Sequence, residues 1–157
     1  MKEICSNHKA EGLVVEGDLE EKFWYEITEF PWTQDKDKAT VCKASVLIND
    51  LSMIFEKLED ISKDSGLDVL ASARAGNGVL IISLDGETPN VIKAAVSLRE
   101  LVNSLNGNMV IQQAPPSIKS EMDVWGEIGS SLSIMKKLKY QFDPNCVMNP
   151  GRFVGGI

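Results

Sequence analysis

The stretch that most limits what this chain can fold into is Ala75-Gly76-Asn77-Gly78, set between the apolar runs Asp68 to Ala73 and Val79 to Leu84. Two glycines and an asparagine supply the positive φ angles of a tight turn, so the two runs read as the strands of a hairpin. An isolated hairpin is barely stable in water, and its neighbours must cover it. A helical pattern stands on each side. Upstream, Asn49 or Asp50 caps a helix whose Leu51, Ile54, Phe55, Leu58 and Ile61 share one face, and Gly66 gives the left-handed stop. Downstream, Thr88 caps and Pro89 opens a helix with Ile92, Ala95, Val96, Val102 and Leu105 inward, closed by Gly107. Outside these, Cys42, Ala44, Val46 and Ile48 alternate with Lys43, Ser45 and Leu47 as in a half-buried strand, and Met109 to Gln113 makes the last strand. The order β-α-β-β-α-β predicts an α+β fold: a ferredoxin-like antiparallel sheet with helices packed on one face.

Two further parts flank this unit. Leu13, Val14 and Val15 predict a short strand, followed by a helix capped by Asp18 with Glu21 in the capping-box position. Leu19, Phe23, Ile27 and Phe30 line that helix until Pro31 stops it, as the remnant of another strand-helix unit that extends the sheet. The polar patch Thr33 to Lys38 is a surface connection. After Pro115-Pro116, Ile118 to Trp125 predicts a short helical turn. Gly129-Ser130-Ser131 starts a final helix with Leu132, Met135, Leu138 and Phe142 on one face and Lys136, Lys137 and Lys139 near its negative end. Pro144 pushes Asp143 out of helical geometry. The expected organisation is a disordered start at 1–11, the α+β domain at 12–114 and a helical C-terminal tail at 115–157.

With 157 residues the chain holds one domain with a real core, and 43% apolar with 25% charged residues is globular rather than disordered. The net charge of -7, with no basic stripe, excludes nucleic acid as a partner. No run approaches a membrane span, and the polar start is not a signal peptide, so a cytoplasmic protein without a transmembrane segment is expected. Cys5, Cys42 and Cys146 lack metal or disulfide spacing and read as buried or free thiols. His8 sits in the polar start without a partner nucleophile. Gly76 to Gly78 links two strands rather than opening a helix, so it is not a phosphate loop. Trp24, Trp32 and Trp125 read as core or interface residues. No catalytic residue emerges, and no metal site is expected.

The chain closes on Phe142-Asp143-Pro144-Asn145-Cys146-Val147-Met148-Asn149-Pro150-Gly151-Arg152-Phe153. Termini usually fray, and so many turn residues define a path instead. The reading is that Asn149 and Arg152 reach a ligand or a neighbouring domain; the plainer alternative is that they pin the tail to its own sheet. A lysine-rich helix followed by this F-D-P-N-x-x-x-N-P-G-R-F segment resembles the C-terminal signature of FAD-linked oxidases of the vanillyl-alcohol-oxidase type, among them the FAD-binding subunits of bacterial glycolate oxidases. The stretch from Gln112 to Asp123 and the Asp123-Val124-Trp125-Gly126 that closes it are similar to those subunits as well.

The resemblance implies a C-terminal cap domain over the substrate side of an FAD enzyme that takes a hydride from the α-carbon of a small 2-hydroxy acid. Asn149 and Arg152 would then be cofactor-binding, lying near the flavin on a turn set by Pro150 and Gly151. The family's glycine-rich pyrophosphate loop is absent from the sequence, so the FAD-binding domain is missing from this stretch, and the chain alone is expected to be inactive and to retain little or no FAD. Partners implied are that N-terminal FAD-binding domain and the flavin and iron-sulfur subunits of a glycolate-oxidase-like complex, peripheral to the inner membrane. In related enzymes a histidine-containing stretch holds a divalent metal; here Arg74 and Ile81 fall at the histidine positions of Ala73 to Ile81, and neither ligates a metal. Arg74 is the candidate for a substrate carboxylate. The rival expectation is a free-standing ferredoxin-like module that binds a small molecule or oligomerises through a sheet edge.

Overall fold

The computed structural model describes residues 13–30, 32–35 and 37–157. The chain divides into two compact units, one ending at Thr33 and the other running from Gln34 to Ile157. In the first, α1 spans Asp18–Glu29 and none of its residues is buried. Leu13 to Val15 form no strand: Leu13 is 88% exposed, and this run adds nothing to the sheet. Among the described residues no strand pairs with this run, so its backbone groups have no ladder to join. Gly17, not Asp18, is the N-cap of α1, and no side-chain cap bond forms. Pro31, Cys5 and His8 lie outside the described residues.

The second unit carries the predicted β-α-β-β-α-β order. β1 is Thr40–Ser45, α2 Leu51–Ser65, β2 Asp68–Arg74, β3 Val79–Asp85, α3 Thr88–Ser104 and β4 Asn108–Gln113. The sheet order is β2-β3-β1-β4, and every pairing is antiparallel. Cys42 and Ala44 stand opposite Ile82 and Leu80 on one side and Ile111 and Met109 on the other, so one face of the sheet is a continuous apolar layer. Against it α2 presents Leu51, Ile54, Leu58 and Ile61, and α3 presents Val91, Ala94, Ala95, Leu98 and Val102. Burying each large aliphatic side chain contributes roughly 1.5–3 kcal/mol. The ferredoxin-like α+β reading holds, with a helical C-terminal tail of α4, Pro116–Glu121, and α5, Ser131–Phe142.

Four local expectations are corrected. β1 ends at Ser45, and Ile48 sits half-exposed in a short 3-10 turn because the chain must leave the sheet to enter α2. Phe55 and Val96 face outward at 39% and 41% exposure, since the helical stripes centre on Leu58 and Leu98 instead. Glu87 rather than Thr88 is the N-cap of α3; at the other end Gly107 closes the helix together with Asn106, which takes the left-handed conformation at φ 56. The Gly107 N–H then bonds the Val102 carbonyl and that of Asn106 the Asn103 carbonyl, closing the last turn of the helix. In the hairpin only Gly78 has positive φ, at 70°. It is also the point of closest approach: the Val46 N–H donates to its carbonyl at 3.0 Å, and a Cβ there would lie 2.0 Å from the Val46 oxygen.

Among the described residues no helix is long and apolar enough to cross a membrane. The sheet face away from α2 and α3 is partly covered: Val41 and Ser83 are nearly inaccessible, and Ser83 Oγ donates to Gln34 Oε1 at 3.3 Å.

Candidate functional site: the C-terminal groove

After β4 the chain folds back along the sheet. The Ile111 N–H donates to the Val124 carbonyl at 2.8 Å, closing part of the β4 edge, and the Asp123 carboxylate accepts the Trp125 N–H at 2.9 Å. Arg99 of α3 clasps this segment, with Nη1 donating to the Asp123 carbonyl at 2.7 Å. Its Nε and Nη2 are buried without a partner. Burial pushes the Cys42 thiol up to about 12, with the nearby Arg99 charge acting in the opposite direction, so this thiol is an inert core residue.

α5 is amphipathic but has no fully buried residue. The path beyond it is set by Asp143, whose side chain is only 4% exposed. Its carboxylate accepts the Val147 and Met148 N–H groups, both at 2.9 Å, and the Lys139 ammonium at 2.7 Å. Lys139 also donates to the Met148 carbonyl at 2.6 Å, tying the helix to the loop twice. The hydrogen bond from Lys139, then that from Met148, hold the Asp143 carboxyl down at about 2. This anchor stabilises left-handed backbone at Cys146 and Asn149, which non-glycine residues otherwise avoid at about 1–2 kcal/mol each. Phe153 then packs edge-on to Trp125 with ring centroids 5.4 Å apart, and Val154 is buried.

Between α5 and this pinned tail lies a groove of about 520 Å³. Met135, Leu138, Phe142, Met148, Phe153 and Ile157 make it apolar, and Lys139, Asn149 and Arg152 are its polar members. Asn149 and Arg152, both exposed, therefore share this groove, with the Arg152 N–H on the Asn149 carbonyl at 3.2 Å. Arg74 is not brought to them. It is the exposed last residue of β2, and its carbonyl accepts the Asn77 and Gly78 N–H groups of the hairpin turn. Sequence reasoning missed Asp143 and Arg99. A lysine one helical turn before an Asp-Pro that opens a turn-rich segment was the available signal for the first; nothing local signals the second, whose contact lies 24 residues away.

An apolar concavity with one free guanidinium can hold a flat, partly polar surface, or the edge of another protein domain. Among the described residues no three His, Cys, Asp or Glu side chains gather to hold a metal ion. No protein-family model matches the chain, and no curated protein is significantly similar to it. The class defined by the structure is a four-stranded ferredoxin-like α+β domain with a pinned helical tail.

Proposed function

We propose that this chain is the substrate-side cap domain of an FAD-dependent 2-hydroxyacid oxidase or dehydrogenase, with the α5 groove and its tail docking on the flavin-binding domain. The observation that carries the reading is the groove itself: an exposed apolar surface whose backbone is rigidly set by Asp143 and which presents Asn149 and Arg152 outward. Six exposed apolar side chains in this tail, Leu138, Phe142, Val147, Met148, Phe153 and Ile134, are more than a self-contained terminus needs. Arg152 would donate to a flavin carbonyl or a phosphate oxygen, and Asn149 would place it. The flavin supplies the hydride chemistry when bound, and this domain contributes shape, exclusion of water and one cation.

The resemblance of the closing segment to FAD-linked oxidases supports the same assignment and points to glycolate or a similar small acid as substrate, with flavin and iron-sulfur subunits as partners. The test is to isolate the native protein from its source with an antibody to this domain. A yellow protein whose colour is bleached anaerobically by glycolate is expected. Arg152→Ala in that protein should loosen flavin roughly ten- to a hundredfold, the loss of a charge-assisted hydrogen bond. A colourless species of 17.3 kDa overturns the proposal.

A further inference from the structure

β2 is an edge strand: β3 runs along one side, and among the described residues no strand lies along the other. Proteins normally protect such an edge with a bulge, a proline, a central lysine or a very short strand. β2 has none of these. Its seven residues keep unbroken register against β3, and between Asp68 and Arg74 lie only Val69, Leu70, Ala71, Ser72 and Ala73. Val69, Ala71 and Ala73 pack toward the core, which leaves Asp68, Leu70, Ser72 and Arg74 on the face away from the helices. Two charges of opposite sign thus end the strand on one face.

Asp68 is also badly placed within its own chain. It stands directly across from Asp85 of β3, and like charges in that arrangement are unfavourable. Among the described residues neither Asp68 nor Arg74 makes an ion pair.

We propose that the free edge of β2 pairs antiparallel with β2 of a second copy of this chain, about a twofold axis through Ala71, joining two four-stranded sheets into one of eight strands. Twofold symmetry fixes the register: Asp68 falls opposite Arg74, Val69 opposite Ala73, Leu70 opposite Ser72, and Ala71 opposite its own copy. Both ends become ion pairs, and each Asp68 gains a cation on the side away from Asp85. An axis perpendicular to the sheet keeps the helices of both copies on one face. Sliding the register by two residues separates each aspartate from its arginine, so charge selects the centred alignment. The small side chains Ala71, Ser72 and Ala73 leave the second strand free to approach. This inference does not rest on the flavin assignment: its readout is mass rather than colour, so either can fail without the other.

The test is sedimentation equilibrium of the 157-residue chain over a wide concentration range, for the wild type, Arg74→Asp, Asp68→Arg and the double exchange. A reversible dimer is expected, weakened about tenfold or more by either single reversal because both symmetry-related pairs become repulsive together. The double exchange should restore dimerisation to within about threefold, since only the direction of each pair is inverted. A second measurement needs no variant: amide exchange across β2 in the wild type should slow as protein concentration rises. A monomer at every concentration, a dimer indifferent to both reversals, or a double variant as weak as the singles overturns the proposal.

Discussion

At the scale of single residues, the two glycines of the β2–β3 hairpin are chemically identical and structurally unequal. Gly78 has φ 70° and would place a Cβ 2.0 Å from the Val46 carbonyl oxygen; Gly76 has neither a positive φ nor any atom within 4 Å of its Cβ position. Gly78→Ala should therefore lower stability by about 2–4 kcal/mol, from left-handed strain together with loss of the Val46 to Gly78 hydrogen bond. Gly76→Ala should stay within about 0.5 kcal/mol of the wild type. Urea unfolding of the pair measures the difference, and equal effects would show that the strand end does not depend on this contact. The sequence marks both positions as turn glycines; which one is indispensable depends on Val46, a residue 32 positions earlier that reaches the turn only because β1 and β3 pair.

At the scale of elements, the C-terminal loop is held by one carboxylate. Asp143 titrates at about 2 instead of the ordinary 3.8, so its folded form is favoured when ionised. A lowered folded pKa contributes stability that is fully present above 3.8 and is lost as the pH falls through about 2. Across that window the Val147 and Met148 amide resonances should move toward random-coil positions before the sheet resonances do. Asp143→Asn should abolish the separate transition and leave the loop less protected at neutral pH. A loop that melts with the sheet in both proteins would show that Asp143 is not its anchor. The neighbouring α5 was legible as a helix from its apolar spacing and lysines. Its exposed face was not, because amphipathic spacing identifies a stripe and not what lies against it.

At the scale of the whole molecule, stability is concentrated in one layer. Leu98, fully buried between α3 and the sheet, and Leu138, 54% exposed on α5, both occupy apolar positions of amphipathic helices. Leu98→Ala should cost about 2–5 kcal/mol through the cavity it leaves, while Leu138→Ala should cost no more than about 1 kcal/mol in the chain alone. Thermal or urea unfolding checks both. A large loss at Leu138 would mean that the groove is occupied within the chain itself, contrary to the docking role proposed for it. The same distinction explains α1: its spacing is as regular as that of α2, yet α2 has a sheet face to cover and α1 has no buried residue.

Local chemistry in the sequence determined the elements that depend on short-range rules: the hairpin between Asp68 and Asp85, the two core helices with their period, the β-α-β-β-α-β order and the turn-rich close of the chain. Backbone preference and side-chain period act within a few residues, so they can be read from a few residues. The tertiary structure alone decided that Leu13 to Val15 stay outside the sheet, that Leu58 and Leu98 rather than Phe55 and Val96 centre the buried stripes, and that Arg99 secures Asp123. It also decided that Asn149 and Arg152 share a groove while Arg74 stands at a separate sheet edge facing away from the helices. Each of these depends on a contact between residues far apart in the chain, and the energy of such a contact exists only once the layers have packed.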